Sequence, residues 1–405
     1  MNEVLKHYKR EDVVIALHVS DPHLGYNGKI SKYSEFKPLQ IDKEKNGWNI
    51  RTLDVNDAFK QTIDIALERE VDVYLNGGDG FDNYGYRLNL IENFYTNQYM
   101  RLKQAGIPIV EIVGNHNFPN AKDQGCHLER IAHHEGIYTV YKGLYEPIDL
   151  PDINMVVHCV PSTFNQDALN YSLSQVQRVE GKINVGLGHF GVTTIKHYAE
   201  NAHNSLVVEL STLVDCKMDY FALADYHKPL DLGNNIEFAG SIERLGTDEI
   251  DNQPQVILSA FNKQTGERIG REYVYLNVRP MIKIELDCQG KTIERINADI
   301  LRTLQQKDYT DAILILKLLK FPSEQKRLLC HPEMKELTKH TLAFRLEIDK
   351  VNVLRETRTT NASRTNIVDS WAPFARKIVN DGSFDSDALV QEGLEILQEV
   401  INNED

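Results

Sequence analysis

Short apolar runs recur along the first 224 residues and constrain the fold more than any other feature of the chain. Six runs cover residues 13–19, 71–75, 107–113, 153–160, 183–187 and 220–224. Runs of this length, rich in β-branched residues, are typical of strands that are buried on both faces. Amphipathic segments at residues 54–69 and 88–102 lie between some of the runs and predict helices. The alternation predicts a layered α/β domain.

Five of the six runs end in a polar block that carries metal-binding residue types. The blocks are Asp21-Pro22-His23, Gly78-Asp79, Gly114-Asn115-His116, Gly188-His189 and Asp225-Tyr226-His227. In an open α/β sheet the segments that follow the carboxyl ends of the strands meet at one edge, which is where ligands bind. We therefore expect seven metal ligands at that edge, namely Asp21, His23, Asp79, Asn115, His189, Asp225 and His227.

Carboxylate, amide and imidazole donors in this mixture suit two divalent ions, with Mn²⁺ as the first candidate and Mg²⁺, Fe²⁺ and Zn²⁺ as alternatives. A pair of ions needs a bridging carboxylate, and Asp79 is predicted to be that bridge. The other ligands are expected to divide between the two ions, with Asp21, His23 and His227 on one and Asn115, His189 and Asp225 on the other.

Two divalent ions held close together are a common device for hydrolysing phosphate esters, because they supply a hydroxide and neutralise the developing charge. His116 follows a predicted ligand directly and is predicted to be catalytic. We expect it to protonate the leaving oxygen or to stabilise the transition state. A single such block is weak support, but five blocks in this order predict a metal site.

Composition limits the class of protein. The formal net charge of −14 argues against a simple basic nucleic-acid binder. Five scattered cysteines without a C-x-x-C pair predict reduced thiols rather than a disulfide framework. No apolar run reaches a membrane-spanning length and the first twelve residues are polar, so we expect a cytoplasmic protein with no membrane association.

The pattern changes after residue 280. Residues 281–286, 312–318 and 342–348 predict strands and residues 291–304 predict a helix, which together indicate a small separate α/β unit. Residues 357–366 are polar and predict a linker, followed by helices at residues 367–379 and 386–401. The predicted domains are therefore 1–279, 280–356 and 367–405, with 357–366 as the linker.

Two segments of this later part have more than one interpretation. Residues 317–364 carry eleven basic and six acidic side chains, which is typical either of a solvated surface or of a region that contacts phosphates. Residues 386–401 place Leu389, Leu394, Leu397 and Val400 on one side of the predicted helix. This apolar stripe either packs on its own domain or docks a partner.

The blocks resemble those of the calcineurin-like metallophosphoesterase superfamily and, more narrowly, of the SbcD family of DNA repair nucleases, which includes phage recombination endonuclease subunits. The resemblance rests on HVSDPHLG at residues 18–25, GGDGFD at 77–82, Gly114-Asn115-His116, YFALADYHKP at 220–229 and FAGS at 238–241. It covers roughly residues 13–262. It implies a two-sheet sandwich flanked by helices, a small α/β cap that begins near Arg279-Pro280 and binds DNA, and C-terminal helices.

The resemblance also implies a function. Members of the family are manganese-dependent nucleases that degrade double-stranded DNA ends exonucleolytically and cut single strands or hairpins endonucleolytically. They act as homodimers with an SbcC-type coiled-coil ATPase, which binds the C-terminal helices. The expected partners are therefore DNA, this ATPase and a second copy of the chain.

The chain departs from the family pattern at two positions. Asp225 stands where the family has a histidine in its last ligand block, which adds negative charge beside the metals. Asn117 stands where an acid usually follows the catalytic histidine, so the residue that orients His116 is expected either to act more weakly or to come from elsewhere. Asp82 is one candidate.

Two other functions remain open from the sequence. The first is a phosphoesterase for small molecules or proteins, but Asn83 lies where protein phosphatases carry an arginine that grips phosphate. The second is a catalytically silent scaffold in a DNA repair or replication assembly, which the change at Asp225 favours and the other retained ligand types oppose. Metal content and activity on DNA ends with Mn²⁺ distinguish the scaffold from the nuclease.

Overall fold

The computed structural model describes residues 6–28, 41–42, 47–82, 88–118, 125–196, 206–350 and 391–393. The chain divides into two compact units, residues 1–349 and 350–405. Apart from Lys350, the elements named below belong to the first unit. The predicted linker and the two predicted C-terminal helices lie outside the described residues, except for residues 391–393, which are helical.

The strands of the described residues fall into three larger sheets and two short strand pairs. In chain order they are Val13–Val19 (β1), Ile41–Asp42 (β2), Trp48–Asn49 (β3), Val73–Asn76 (β4), Ile109–Ile112 (β5), Ile137–Val140 (β6), Glu146–Leu150 (β7), Met155–Val160 (β8), Ile183–His189 (β9), Gly191–Val192 (β10), Val207–Val208 (β11), Tyr220–Ala224 (β12), Leu230–Asp231 (β13), Ile236–Phe238 (β14), Gln255–Asn262 (β15), Arg268–Tyr275 (β16), Met281–Asp287 (β17), Ile313–Phe321 (β18) and Ala343–Lys350 (β19).

The α-helices lie between these strands. In chain order they are Ile50–Glu68 (α1), Leu88–Gln104 (α2), Leu128–Ile131 (α3), Gln166–Ser174 (α4), Leu210–Asp215 (α5), Ile293–Gln305 (α6) and His331–Leu337 (α7). None of the described helices combines the length and the apolar character that a membrane span requires.

Two six-stranded sheets form the core of the molecule. The first has the strand order β16-β15-β1-β4-β5-β6, and the second has the order β13-β14-β12-β9-β8-β7. In the first sheet β1, β4, β5 and β6 are parallel, and in the second sheet β8, β9, β12 and β14 are parallel. The carboxyl ends of the parallel strands in each sheet therefore lie at one edge of that sheet.

Strand β1 shows why its sequence is a continuous apolar run. Val13 and Ile15 pack with helices α1 and α2, whereas Val14 and Ala16 face the second sheet. Because successive side chains of a strand point to opposite faces, a strand between a helical layer and another sheet needs apolar residues at every position. Helix α4 covers the outer face of the second sheet, where Leu169 is buried. The predicted two-sheet sandwich with flanking helices is confirmed.

Several predicted boundaries shift by a few residues, and two of these shifts have a local structural reason. Helix α1 begins at Ile50, four residues before the predicted start, because the side chain of Asn49 accepts a hydrogen bond from the amide of Arg51 at 2.8 Å and caps the helix. The strand predicted from residue 153 begins only at Met155. Pro151–Ile153 forms a 3₁₀ turn that ends at Asn154 in the left-handed region, with φ of 53°.

The residues after Pro280 form a small α/β layer. Strands β17, β18 and β19 make a three-stranded sheet in that order, with β17 and β18 parallel. Helices α6 and α7 pack on it through a cluster that includes Ile296, Ile300, Met334 and Leu316. The strands and the longer helix lie where the sequence predicts them, while the domain boundary at residue 280 stays a prediction.

A network of charged side chains joins this layer to helix α1. Arg279 donates from Nε and Nη2 to the two carboxylate oxygens of Asp54, each at 2.7 Å. Asp54 also accepts from Nη1 of the fully buried Arg51 at 2.7 Å, and Glu243 lies 3.5 Å from Arg51. Asp54 is therefore shared by two arginines, one on its own helix and one at the start of the small layer.

Replacing Asp54 with alanine is expected to destabilise the fold, because it leaves the buried Arg51 with less compensating charge. Removing one partner of a buried ion pair lowers the free energy of unfolding by about 3 kcal/mol or more. The measurement is urea denaturation of the full chain. Asp57→Ala is the matched control, since Asp57 is exposed on the same helix; an equal, small change in both variants would contradict a structural role for this network.

Candidate metal centre

The five polar blocks meet at the carboxyl edge of the two sheets. Val19 pairs with Asn76 at the end of β1 and β4, so the segments that contain Asp21 and Asp79 leave the first sheet side by side. In the second sheet Ala224 pairs with His189, which places Asp225 next to that histidine. The convergence expected from the sequence is observed.

The backbone of these blocks is strained. Asp21, His23, Asp79 and Asp225 have φ angles of 50°, 49°, 52° and 87°, which non-glycine residues rarely adopt. Such conformations persist where the surrounding structure enforces them, and they cluster at functional sites. At Gly114 a side chain is excluded outright, because a Cβ there would lie 2.1 Å from Oδ1 of Asp79.

The first group of donors contains Asp21, His23 and His227. Their ligand atoms lie within 4.8 Å of one another, and Nε2 of His23 is 3.0 Å from Nε2 of His227. The orientation of the His227 ring is fixed through its other nitrogen, because Nδ1 pairs with the Glu249 carboxylate at 2.6 Å. Glu249 in turn accepts from the amide of Leu245 at 2.7 Å. A carboxylate behind an imidazole is typical of metal-binding histidines.

The second group surrounds His189. Its Nδ1–H donates to the main-chain oxygen of Gly77 at 2.8 Å, which leaves Nε2 facing the site. Nε2 lies 2.9 Å from Oδ1 of Asn115, 3.5 Å from Oδ2 of Asp79 and 3.7 Å from Oδ1 of Asp225. The three residues predicted for one ion therefore meet, and Asp79 lies beside them.

Asp79 lies between the two groups. Its Oδ2 is 3.8 Å from Nε2 of His23 and 3.5 Å from Nε2 of His189, so one oxygen faces a histidine of each group. Its Oδ1 accepts from the main-chain N–H of His116 at 2.9 Å, which fixes the rotation of the carboxylate. The side chain is almost fully buried. This position fits the predicted bridge.

The electrostatics of the cluster reflect burial and close packing of opposite charges. Burial by itself would raise the pKa of Asp79, but the charge and hydrogen bond of His189 and the charge of His23 outweigh it and lower the pKa. Burial also acts to lower the pKa of His189, and the charges of Asp79, Asp225 and Asp21 instead raise it to about 10. The carboxylates thus create a strongly negative, buried place that attracts protons or cations.

The donors fit a pair of divalent cations. Three overlapping sets have ligand atoms within 4.8 Å, namely Asp21 with His23 and His227, His23 with Asp79 and His116, and Asp21 with Asp79 and His189. Oxygen and imidazole donors of this kind suit first-row divalent ions and Mg²⁺. Asp79, Asp21 and His23 each belong to two of these sets, so the three sets form one continuous cluster of donors.

His116 lies at the open side of the cluster. Its side chain is 43% exposed, and its ring lies 4.7 Å from that of His23. Its Nδ1–H donates to the main-chain oxygen of Asp82 at 2.9 Å, whereas the Asp82 carboxylate is 3.9 Å away. Asp82, one candidate for orienting His116, therefore contacts this ring through its carbonyl group and not through its carboxylate.

Asn117 and Glu249 make contacts that the sequence does not predict. The Asn117 side chain donates to the carbonyl of Phe81 at 2.7 Å and accepts from the amide of the same residue at 3.1 Å, so it ties the His116 segment to the Asp79 segment. Glu249 was not among the predicted site residues, because it lies 22 positions beyond His227 in a short 3₁₀ turn. An acid in a turn gives no signal that it faces a histidine.

A comparison with known protein families agrees with this geometry. The model of the calcineurin-like phosphoesterases matches residues 16–229, more than half of the chain, and includes all five blocks. The chain belongs to the calcineurin-like phosphoesterase family. The resemblance that its motifs show to this family is confirmed.

Within the calcineurin-like phosphoesterases, the chain is similar to archaeal proteins called DNA double-strand break repair protein Mre11. It is 30% identical over 240 residues to that of Sulfurisphaera tokodaii, covering 58% of this chain and 55% of the relative. It is 25% identical over 307 residues to that of Sulfolobus acidocaldarius, covering 75% and 73%. The chain thus spans between about half and three quarters of these relatives.

Among solved structures, a dimetal phosphatase from Danio rerio aligns over 65% of this chain and 99% of its own, with a TM-score of 0.34 and 8% identity. A TM-score this low supports no conclusion about the site of this phosphoesterase.

A buried acid, Glu111, is connected by hydrogen bonds to the turn that presents Asp79. Glu111 accepts hydrogen bonds from the hydroxyls of Tyr95 and Tyr99 and from Nδ2 of Asn76 at 3.2 Å. The other end of the Asn76 amide accepts from the N–H of Gly78 at 3.1 Å. This chain of bonds connects strand β5 to the turn that presents Asp79. Burial raises the pKa of Glu111 to about 8.

The raised pKa predicts that Glu111 lowers the stability of the fold as pH rises. Below the ordinary carboxyl value of 4.5 both folded and unfolded chains hold the proton. Between this value and about 8 only the unfolded chain releases it, so the free energy of unfolding falls by up to about 1.4 kcal/mol per pH unit. Glu111→Gln should remove this contribution.

Urea midpoints measured from pH 5 to pH 9 test this expectation. The urea midpoint of Glu111→Gln minus that of wild type should increase as pH rises and become constant above about pH 8. Glu135→Gln is the control, because Glu135 is exposed. A Glu111→Gln curve parallel to that of wild type would contradict the protonated state.

Proposed function

We propose that this protein is a metal-dependent DNA nuclease that hydrolyses phosphodiester bonds at the edge where the five blocks meet. The observation that carries the proposal is the position of Asp79, whose Oδ2 lies between His23 of one donor group and His189 of the other. The name of the archaeal relatives supports DNA as the substrate. The family match supports phosphoester hydrolysis as the reaction.

Two divalent ions would be held by the residues already described. Asp21, His23 and His227 would hold one and Asn115, His189 and Asp225 the other, with Asp79 between them. When bound, such ions supply a hydroxide nucleophile near neutral pH and neutralise charge on the phosphoryl oxygens. We propose Mn²⁺ as the physiological ion, because the donor set combines hard oxygens with imidazole nitrogens.

The protein itself supplies orientation and a proton. The bond from Nδ1 of His116 to the carbonyl of Asp82 orients the ring and leaves the other ring nitrogen, Nε2, available to a substrate. A protonated His116 would donate from Nε2 to the oxygen that leaves phosphorus. Glu249 and the carbonyl of Gly77 fix the rings of His227 and His189, so neither has to reorient during the reaction.

Asp225 gives this site one more carboxylate than the family pattern. Its main-chain N–H donates to the Asp21 carboxylate at 3.1 Å, which links the two predicted ligand groups through the backbone. The added negative charge favours a hard ion and disfavours a softer one such as Zn²⁺. The same change is the one feature that favours a silent scaffold, so activity has to be measured.

The proposed partners follow from the resemblance to the SbcD family. We propose that the chain acts as a homodimer and that residues 367–405 bind a coiled-coil ATPase of the SbcC type. A chain lacking residues 367–405 would keep intrinsic cleavage and lose co-purification with the ATPase.

A nuclease assay tests the proposed function. Linear duplex, hairpin and single-stranded DNA are incubated with the full chain and Mn²⁺, and the products are separated by length. Cleavage that depends on Mn²⁺ supports the nuclease. A protein that binds no Mn²⁺ and leaves all three substrates intact would be a scaffold, and cleavage of small phosphate esters alone would indicate the other phosphoesterase function.

A further inference from the structure

One aromatic side chain beside the metal centre has no role in the chemistry described above. Phe164 is 69% exposed, the highest fraction among the large apolar side chains of the described residues. An aromatic ring left in water lacks the stabilisation that burial would give it. At the edge of a proposed substrate site, this exposure leaves the ring available for a contact with the substrate.

The position of Phe164 relative to the ligand blocks follows from strand pairing. Val160 at the end of β8 is paired with Gly188, which directly precedes His189. Two residues later the amide of Ser162 donates to the carbonyl of Val113 at 3.0 Å, directly before the Asn115 block. The segment that ends in Phe164 therefore leaves the sheet next to two of the ligand blocks.

The ring of Phe164 is supported by Phe118. The two rings meet edge to face with centroids 4.7 Å apart, and Phe118 lies two residues beyond His116. Phe118 packs on the core of the first sheet, and Gly143 lies so close to its ring that a Cβ at Gly143 would come within 2.8 Å. Phe164 is therefore backed by a ring that is itself held in place.

Capping of helix α4 does not explain why an apolar residue stands at position 164. Asn165 caps helix α4, since its side chain accepts from the amide of Ala168 at 2.9 Å. The residue before such a cap often packs on the fourth residue of the helix, here Leu169. Leu169 is buried in the cluster behind the second sheet, whereas most of the Phe164 surface is exposed. The capping geometry thus does not account for the ring.

We propose that Phe164, backed by Phe118, is a stacking platform for an unpaired base of the DNA strand whose phosphate enters the metal centre. This proposal rests on the proposed nuclease function and names the substrate as a locally single-stranded one. Every base has a flat π-face, so proteins that bind single strands without sequence preference use exposed aromatic rings in this way. The Phe164 segment leaves the sheet beside the Gly188-His189 and Gly114-Asn115-His116 blocks, so a base next to a phosphate held there would be the part of the substrate nearest to this ring.

The experiment compares Phe164→Ala and Phe164→Trp with wild type on a single-stranded oligonucleotide and on the same oligonucleotide with abasic sites around the cleaved bond. Tyr171→Ala is the matched control, because Tyr171 is a 60% exposed aromatic residue on helix α4. We expect Phe164→Ala to raise KM for the intact oligonucleotide by about tenfold with little change in kcat. Phe164→Trp should retain the wild-type KM, and the abasic substrate should abolish the difference between the variants.

Binding of the same two oligonucleotides, measured by fluorescence anisotropy without added metal, separates this proposal from the proposed function. If wild type binds the intact strand better than Phe164→Ala but cuts no DNA, the proposed nuclease function is wrong and the proposed stacking platform is supported. Equal binding and equal KM for wild type and Phe164→Ala would overturn the platform. An identical loss on the abasic strand would do the same, because stacking requires a base.

Discussion

Asp79→Ala is expected to lose both metal ions and to retain less than about one thousandth of the wild-type nuclease rate. The reason is geometric, since Oδ2 of Asp79 is the oxygen that faces His23 at 3.8 Å and His189 at 3.5 Å. Without this oxygen, each donor group keeps its own ligands, but the carboxylate that lies between the two groups is lost. The substitution also removes the acceptor for the main-chain N–H of His116.

Metal content and rate are measured on the same preparation of Asp79→Ala, by elemental analysis and by the oligonucleotide assay. Circular dichroism shows whether the variant is folded, and Asp79→Asn, which keeps the shape of the side chain, should be equally impaired if charge matters. Asp57→Ala serves as the control for loss of an acid at an exposed position. A folded Asp79→Ala that still binds two ions per chain would contradict the bridging role.

His116→Ala is expected to bind metal like wild type and to cleave DNA about 100- to 10,000-fold more slowly, the range for loss of a general acid. This combination follows from its position. The ring is 43% exposed and its Nδ1 is bonded to the carbonyl of Asp82, so it faces the substrate side of the cluster. By contrast, the predicted ligands His23 and His189 are buried.

A matched variant, His133→Ala, removes an exposed histidine beyond helix α3 and should leave the rate unchanged. Added imidazole should partly restore His116→Ala if the missing group is a proton donor. Loss of metal in His116→Ala would instead assign the residue to the ligands, since its donor atoms lie within 4.8 Å of those of His23 and Asp79. Full activity would exclude it from the reaction.

The sequence predicts the site because each ligand is local to the end of a strand. A run such as residues 220–224 identifies a buried strand, and Asp225 directly follows it. Parallel pairing then brings strand ends together whatever the exact register, so the grouping of His189 with Asp225 needs no knowledge of distant side chains. The alternation of strands and helices likewise predicts a layered α/β domain, whereas the two-sheet sandwich is what the resemblance of the blocks implies.

Pairs that join distant segments could not be predicted. Glu249 reaches His227 and Arg279 reaches Asp54 only because the fold brings them together, across 22 and 225 positions. Neither residue belongs to a periodic pattern. Asn117 predicts a weaker orienting partner for His116 or one from elsewhere in the chain, whereas its bonds to Phe81 depend on how two loops pack together. These contacts hold the ligands in place, and they become visible only in the folded chain.

The most direct measurement is a crystal structure of the full chain grown with Mn²⁺, with data collected at the manganese absorption edge. Two anomalous peaks should appear, one bonded to Asp21, His23 and His227 and the other to Asn115, His189 and Asp225, with Asp79 touching both. A single peak, or peaks away from these side chains, would contradict a dinuclear centre and the nuclease built on it.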